Sequence, residues 1–258
     1  MIIGSKLYRT KTCANSLSWA REHLDTAPDG SVFIADTLTK AYGRQGRTWQ
    51  VYPGQLLITL LLKPPLLHEC SLDDIPVRLN QLNMALSVGI AKALESYGVH
   101  IKWPNDFVVQ DKKAGGLLAH VVWQNNWPAG VIFGFGINVN THFDKDDALY
   151  TTATSLAMAT GHDLDMRALY RNLLNNLDTL YALWKDKKFD DIYRQWKARQ
   201  AYLGKRLTIH QKNGCLVSGL MSQVMPNGDM MLLVEDKVTQ IIPFCVVSDV
   251  KLEDNLSG

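Results

Sequence analysis

His100-Ile-Lys-Trp-Pro-Asn-Asp-Phe-Val-Val-Gln-Asp-Lys-Lys-Ala-Gly-Gly116 joins two short apolar runs through a corner, Lys102 to Asp106, in which no two residues share a chemistry. Pro104 has no backbone N–H to donate, and it pushes Trp103 toward an extended conformation. The chain therefore leaves one strand at Ile101–Lys102, turns stiffly, and enters another at Phe107–Gln110. A corner that only reverses the chain needs Gly, Asn or Asp. This one also gathers a cation, an indole, an amide and a carboxylate, and it reads as a site. The plainer alternative is a structural corner in which Lys102 pairs with Asp106.

Downstream, Asp111-Lys112-Lys113 reads as the turn of a hairpin whose second strand runs from Leu117 to Trp123. Gly115-Gly116 inside that strand is unusual, because glycine weakens a strand unless backbone or ligand must come close. One of the two lysines then points along the strand end into a cleft; solvated lysines at a turn are the bland alternative. Asn125-Asn126-Trp127-Pro128 is a further turn signal, followed by a strand over Val131–Val139. That strand holds Gly134-Phe135-Gly136-Ile137-Asn138-Val139-Asn140. The third glycine and the following helix of a dinucleotide fingerprint are missing, which excludes a Rossmann reading. Glycines at alternate positions leave one strand face bare. That face is either the floor of a ligand channel, with Asn138 supplying amide groups, or a place of close sheet-to-helix packing.

Upstream, Ser31–Asp36 and Leu56–Leu62 read as strands, the latter buried on both faces. Between them lies Gly43-Arg44-Gln45-Gly46-Arg47-Thr48-Trp49. Glycine lets backbone approach a ligand, arginine presents forked donors for phosphate or carboxylate, and Trp49 offers a stacking face. A surface loop with solvated arginines is the alternative. Apolar spacing predicts helices over Thr12–Leu24, capped by Asn15 or Ser16, over Leu79–Tyr97 with Gly98 as the stop, over Leu164–Trp184, and over Asp190–Tyr202. After Gly204 the pattern changes to short strands, Arg206–His210, Leu216–Met221, Met230–Val234 and Val238–Ile242, punctuated by Asn213-Gly214 and Asn227-Gly228. The expected fold is α+β: a mixed central sheet packed with helices over residues 1–202, then a small β module over residues 203–258.

The totals narrow the function classes. With 258 residues, 47% hydrophobic and 20% charged, the chain has an ordinary globular composition. A net charge of +2 argues against a dedicated nucleic-acid binder. The longest apolar run is too short to cross a bilayer, and the N-terminus lacks the apolar core of a signal peptide. Cys13, Cys70, Cys215 and Cys245 form no C-x-x-C pair, so a zinc site is not expected and reduced thiols in a cytoplasmic protein are.

GRQGRTW, KWPND, KAGGLL and GFGINVN occur in this order, followed by helices and a β module, and over almost the whole chain this resembles the biotin protein ligases, or biotin–[acetyl-CoA-carboxylase] ligases. KWPND with GINVN is the specific part of the resemblance; the glycine-arginine loop is less so. The resemblance implies a biotin/lipoate ligase-like catalytic domain with a C-terminal SH3-like barrel. It also implies activation of biotin with ATP and Mg²⁺ to biotinoyl-5′-AMP, then transfer to a lysine of the biotin carboxyl carrier protein of acetyl-CoA carboxylase.

By the same resemblance, Arg44 and Arg47, with Gly43, belong to a loop that orders over the ligand, and Trp49 flanks the adenine. Lys102, Asn105 and Asp106 match the family's second motif, with Lys102 contacting the phosphates and Asp106 meeting Mg²⁺ or the acceptor lysine. Lys113 lies between the biotin carboxylate and the phosphate, Gly115 and Gly116 let biotin lie against the strand, and Asn138 reads the nucleotide. Asn15, Gly134 and Gly136 complete the binding set. No DNA-binding or membrane partner is expected, and the resemblance leaves a homodimer open.

Three positions depart from the family pattern. Ala41-Tyr42 stands for the first half of GRGRxGRxW, Leu38 for a glutamine that bonds the biotin ureido ring, and Cys13-Ala14-Asn15 for an S-T-N run. All three lie on the biotin side, which leaves two rivals open: a ligase for another acid such as lipoate or octanoate, and a degenerate module that binds an adenylate without transferring it.

Overall fold

The computed structural model describes residues 1–235 and 238–253. Its strands and helices run β1 (Leu7–Cys13), α1 (Ser16–Glu22), β2 (Ser31–Leu38), β3 (Ala41–Tyr42), β4 (Thr48–Trp49), β5 (Gln55–Leu62), α2 (Ile75–Ala93), β6 (His100–Lys102), β7 (Asp106–Val109), β8 (Lys112–Gln124) and β9 (Trp127–Asn138). They continue through α3 (Leu156–Thr160), α4 (Met166–Lys185), α5 (Phe189–Ala198), β10 (Arg206–Gln211), β11 (Leu216–Val224), β12 (Met230–Val234), β13 (Val238–Ile242) and β14 (Val247–Leu252).

One mixed sheet has the order β1-β2-β5-β9-β8-β7-β6, with β1 and β2 parallel and the other neighbours antiparallel. Successive side chains of β5 point to opposite faces. Leu56, Ile58, Leu60 and Leu62 join the large core under α2 and α4, while Leu61 joins a smaller cluster with Ala20, Leu24 and Phe33 around α1. The helices therefore divide unequally: α2 and α4 cover one face, and among the described residues the short α1 sits alone on the other. That thin cover leaves room for a cavity.

Gly89 of α2 shows how closely the helical layer packs. A Cβ there would lie 3.1 Å from Leu177 Cα and 3.2 Å from Asn176 O, so a side chain at this position would force α2 and α4 apart by a few tenths of an ångström. Trp184 and Trp196 are buried at 0% and 2% exposure beside them, and each contributes on the order of 1.5–3 kcal/mol of hydrophobic burial.

β10 to β14 form a five-stranded antiparallel sheet of order β13-β12-β11-β10-β14. Its turn at Asn227-Gly228 rests on the first sheet's helices and corner: Asn80 Nδ2 donates to Asn227 O at 2.7 Å, and Trp103 Nε1 donates to Gly228 O at 2.8 Å. The fold class is thus α+β, as expected. All four cysteines are free thiols, and no helix among the described residues is long and apolar enough to cross a membrane.

Several local expectations change. The first helix starts at Ser16 rather than Thr12, because Thr12 and Cys13 belong to β1, whose pairing with β2 overrides local helical spacing. Asn15 is the cap: its side chain accepts from Ser18 N at 2.9 Å. The hairpin turn is at Gln110-Asp111, both at positive φ, so Lys112 and Lys113 lie within β8. Asn125-Asn126 likewise carries the next turn, and Trp127-Pro128 is strand. Pro128 is tolerated there because β5 pairs β9 only from Val131 onward, leaving one side of Pro128 without a ladder. α5 ends at Ala198 rather than Tyr202, and β1, β3, β4, α3 and β14 are additional to the expected elements.

Candidate active site

Register builds the floor of the site. Across β5, β9 and β8, Thr59 lies opposite Gly134 and Gly134 opposite Leu118; one row along, Leu57, Gly136 and Gly116 align, and β7 adds Asp106 beside Gly116. Both rows share the sheet face that carries α1. They underlie a cavity of about 210 Å³, roofed by the start of α1, the segment from Leu38 to Trp49, the Lys102–Asp106 corner, and Val247–Val250 of β14.

The bare glycine face exists, but it is covered. A Cβ on Gly136 would lie 3.0 Å from Trp49 Cζ2 and 3.0 Å from Leu57 Cδ2; on Gly134, 2.8 Å from Leu17 Cδ2. The indole of Trp49 and the side chain of Leu17 therefore lie against the sheet where side chains would otherwise stand. Trp49 Nε1 is buried without a hydrogen-bond partner, an orphaned donor that an acceptor on a bound ring would satisfy.

One end of the cavity is charged. Lys113 Nζ lies 2.8 Å from Asp106 Oδ1 and 5.5 Å from the centroid of the Trp49 ring. Gly116 makes room for this pair, since a Cβ there would come within 3.1 Å of Asp106 Oδ1 and 3.6 Å of Lys113 Cε. Lys102 is the cross-strand neighbour of Asp106, yet among the described residues it makes no ion pair. The purely structural Lys102–Asp106 corner is therefore replaced by a pair from β7 and β8, with Lys102 left over as a second cation. Asn105 ties the corner down by donating from Nδ2 to Leu117 O and accepting from Arg44 Nη1 at 3.2 Å.

The glycine-arginine loop is folded over this end and held by the second sheet. Arg44 Nη2 donates to Phe244 O and Val247 O at 3.3 and 3.1 Å, Gln45 Nε2 to Val247 O at 2.9 Å, and Arg47 Nη2 to Ser248 O at 3.0 Å. Burial pulls the Arg44 guanidinium below its ordinary pKa range; Asp106 opposes that shift and Arg47 adds to it. Tyr202 is pushed up to about 12 by burial and then by the carboxylates of Asp111 and Asp106. Among the described residues no cluster of three or more His, Cys, Asp or Glu could hold a metal. Asp106 is a single carboxylate, a donor set that suits Mg²⁺ arriving with its own phosphate and water ligands.

Of the residues expected at a site, Asn15, Gly43, Arg44, Arg47, Trp49, Lys102, Asn105, Asp106, Lys113, Gly116, Gly134 and Gly136 line the cavity. Two do not. Gly115 faces away from it, where a Cβ would meet Gly136 O and Ile137 Cδ1 at 2.7 Å. Asn138 is 3% exposed, and its amide is spent within the protein: Nδ2 donates to Thr154 O and Oδ1 accepts from Gln55 Nε2, both at 3.0 Å. It braces β9 and β5 rather than reaching into the cavity. Asn15 lines the cavity but uses its amide as the α1 cap and as a donor to Lys40 O. Residues outside the sequence reading also contribute, notably Ser16, Thr59 and Val247–Val250. Thr59 carries its own sequence signal: it is the only polar residue in the run Leu56–Leu62.

A model of the biotin/lipoate A/B protein ligase family matches residues 7–138, from the first residue of β1 to the last of β9. The chain belongs to that family. A bifunctional ligase/repressor of Bacillus subtilis is 30% identical over 196 residues, 74% of this chain and 58% of its own length. The Bacillus spizizenii counterpart is 28% identical over 83% of this chain, which spans 65% of that relative. A biotin–[acetyl-CoA-carboxylase] ligase of Mycobacterium tuberculosis is 24% identical over 79% of this chain and 73% of its own. Among solved structures, a biotin protein ligase from Aquifex aeolicus in complex with biotin and ATP matches with a TM-score of 0.79 at 24% identity, covering 96% of this chain and 100% of that one. A biotin protein ligase-like protein of unknown function from a Silicibacter species matches at 0.68 and 16% identity. These structural likenesses show the shared fold.

For a biotin/lipoate ligase family member, the positions that depart from the family pattern separate in space. Leu38, Ala41 and Tyr42 line the cavity. Cys13 and Ala14 do not; their carbonyls accept from Thr39 N at 3.1 Å and Lys40 N at 2.8 Å, which fastens the end of β1 to the chain entering β3.

Proposed function

We propose that this chain is an ATP-dependent ligase that activates biotin to biotinoyl-5′-AMP and passes the biotinoyl group to a lysine of a biotin carboxyl carrier domain. The observation that carries this reading is the charged end of the cavity, where Lys113, Lys102 and Arg44 surround the single carboxylate of Asp106 on a glycine floor. The names of the Mycobacterium tuberculosis relative and of the Aquifex aeolicus structure support the choice of biotin.

In the first step a carboxylate oxygen of the acid attacks the α-phosphorus of ATP, and pyrophosphate leaves. Two anions must approach, so the barrier falls where fixed cations meet the developing charge. Lys113 turns from Asp106 toward the oxygen shared by the acid and the phosphate, and Lys102 contacts the phosphates. Asp106, released from Lys113, becomes free to meet Mg²⁺ or the ammonium of the acceptor lysine. Magnesium carried on the nucleotide screens the phosphate charge. In the second step the acceptor amine attacks the acyl carbon and AMP leaves. The loop around Arg44 and Arg47 lies over this end of the cavity and keeps water from the adenylate.

We assign residues 1–202 to the catalytic unit and 203–258 to a C-terminal SH3-like unit whose β14 segment holds the loop; residues 254–258 lie outside the described residues. A second reading, activation of lipoate or octanoate, is favoured by Leu17 and Leu38 at the other end of the cavity. Pyrophosphate release from Mg²⁺-ATP with biotin, lipoate and octanoate in turn separates the readings. Release with biotin supports the first, release with an aliphatic acid alone the second, and release with none leaves a binding module.

A further inference from the structure

Away from Lys113 the cavity is lined by Leu17, Leu38 and Leu118, with Asn15, Ser16 and Thr59 as polar side chains among them; the Asn15 amide is used in capping α1 and in donating to Lys40 O. Thr59 is 1% exposed in the middle of β5, flanked in sequence by Ile58 and Leu60, and its hydroxyl donates to Ser16 Oγ at 2.7 Å. Both residues line the cavity, with Leu17, Leu38 and Leu118 beside them. A valine would fill the Thr59 position without a buried hydroxyl to satisfy. Ser16 Oγ accepts from Thr59, so its own hydrogen is unspent, and among the described residues neither hydroxyl has a second partner. The pair thus offers one donor and free acceptor lone pairs to whatever fills this end.

Thr59 on β5 and Asp106 on β7 are three inter-strand spacings apart, about 14 Å. An acid with its carboxylate at Lys113 and its chain running through the cavity, over the Trp49 and Leu17 side chains that cover the glycine face, would bring its far end to Ser16 and Thr59. Leu38, Cys13 and Ala14 supply no side-chain amide or hydroxyl there.

We propose that the Ser16–Thr59 hydroxyl pair determines acid specificity in this chain by hydrogen-bonding a head group that carries both an N–H donor and a carbonyl acceptor, so that a cyclic-urea or amide-bearing acid is selected over an aliphatic one. This rests on the ligase reading of the same cavity. The Ser16 hydroxyl donates to the head carbonyl, and Thr59 Oγ1 accepts from the head N–H while keeping its bond to Ser16.

The test measures dissociation constants of biotin and octanoate by calorimetry for the wild type and for Thr59→Val, Thr59→Ser and Ser16→Ala. Thr59→Val is expected to weaken biotin about ten- to hundredfold, in line with the cost of an unpaired buried polar group. Octanoate should change less than about twofold, since it has no head group to lose, and Thr59→Ser should keep the wild-type preference. Ser16→Ala, at the surface start of α1, provides the same comparison if Thr59→Val does not fold. Equal loss of both acids would mark the pair as merely structural and overturn the proposal, as would an unchanged biotin affinity. A wild type that releases pyrophosphate with an acid but whose preference survives both substitutions would overturn the pair's role alone; a wild type that binds neither acid would overturn the ligase reading with it.

Discussion

Asp106 and Lys113 meet at 2.8 Å across the β7–β8 hairpin, above a glycine that leaves them room. Their side chains are 25% and 40% exposed. A pair this accessible contributes only about 0–1 kcal/mol to stability. The arrangement makes better sense as a cation held ready beside the cavity than as a structural clamp. Lys113→Ala is therefore expected to leave the melting temperature within about 2–3 °C of wild type, while the rate of acid-dependent pyrophosphate release falls roughly 10²- to 10³-fold. Thermal melting beside single-turnover kinetics checks both halves.

Gly136 and Trp49 make a second contact of this kind. A methyl on Gly136 would sit 3.0 Å from the indole and from Leu57, so Gly136→Ala should displace the Trp49 ring or Leu57 by a few tenths of an ångström. Nucleotide binding is expected to weaken at least about tenfold, with circular dichroism unchanged. Calorimetry with a non-hydrolysable ATP analogue reads the effect; unaltered affinity would mean that Trp49 does not border the nucleotide.

Trp103 joins the corner to the second sheet through its bond to Gly228 O. Trp103→Phe removes the donor and leaves a buried carbonyl unpaired, which costs about 1–3 kcal/mol. Urea unfolding should show a lower midpoint. Activity should fall further than global stability alone requires, because the corner that carries Lys102 and Asp106 loses its anchor.

Tyr52 Oη donates to Asp147 Oδ2 at 2.7 Å and clasps the segment after β4 to the loop after β9. Tyr52 is pushed up to about 12, by burial and then by Asp147; Asp147 is held below the ordinary carboxylate range by the Leu149 N–H and then by Tyr52. The raised phenol contributes stability that is fully present below its ordinary value of 10.0 and is lost as pH rises toward 12. The depressed carboxylate contributes stability that is present above its ordinary range and is lost as pH falls through its folded value. The difference in melting temperature between wild type and Tyr52→Phe should therefore be flat from weakly acidic to weakly alkaline pH and shrink at both extremes.

Much of this layout was legible in the sequence because it is written in short-range rules. Pro104, the Gly115-Gly116 pair and the alternating Gly134 and Gly136 each impose a local constraint, and those constraints mark the corner and the floor. What escaped depends on partners distant in the chain. β1 forms because β2 lies beside it, a pairing that the local spacing over Thr12–Leu24 does not show. Asn138 looks like a free amide in GFGINVN, but Gln55 and Thr154 consume it. The Arg44 and Arg47 contacts with Phe244 to Ser248 span about two hundred residues, and no local pattern announces them. Thr59 lies between these cases: its polarity in an apolar strand was visible, while its partner Ser16 and its place at the cavity were not.

The most direct test of the central claim is to mix the protein with biotin and Mg²⁺-ATP, quench within one turnover, and look by mass spectrometry for the acid joined to AMP. The expected result is a biotinoyl-AMP species in stoichiometric amount from the wild type and almost none from Lys113→Ala. No adenylate from the wild type with biotin, lipoate or octanoate, or equal amounts from both proteins, would contradict it.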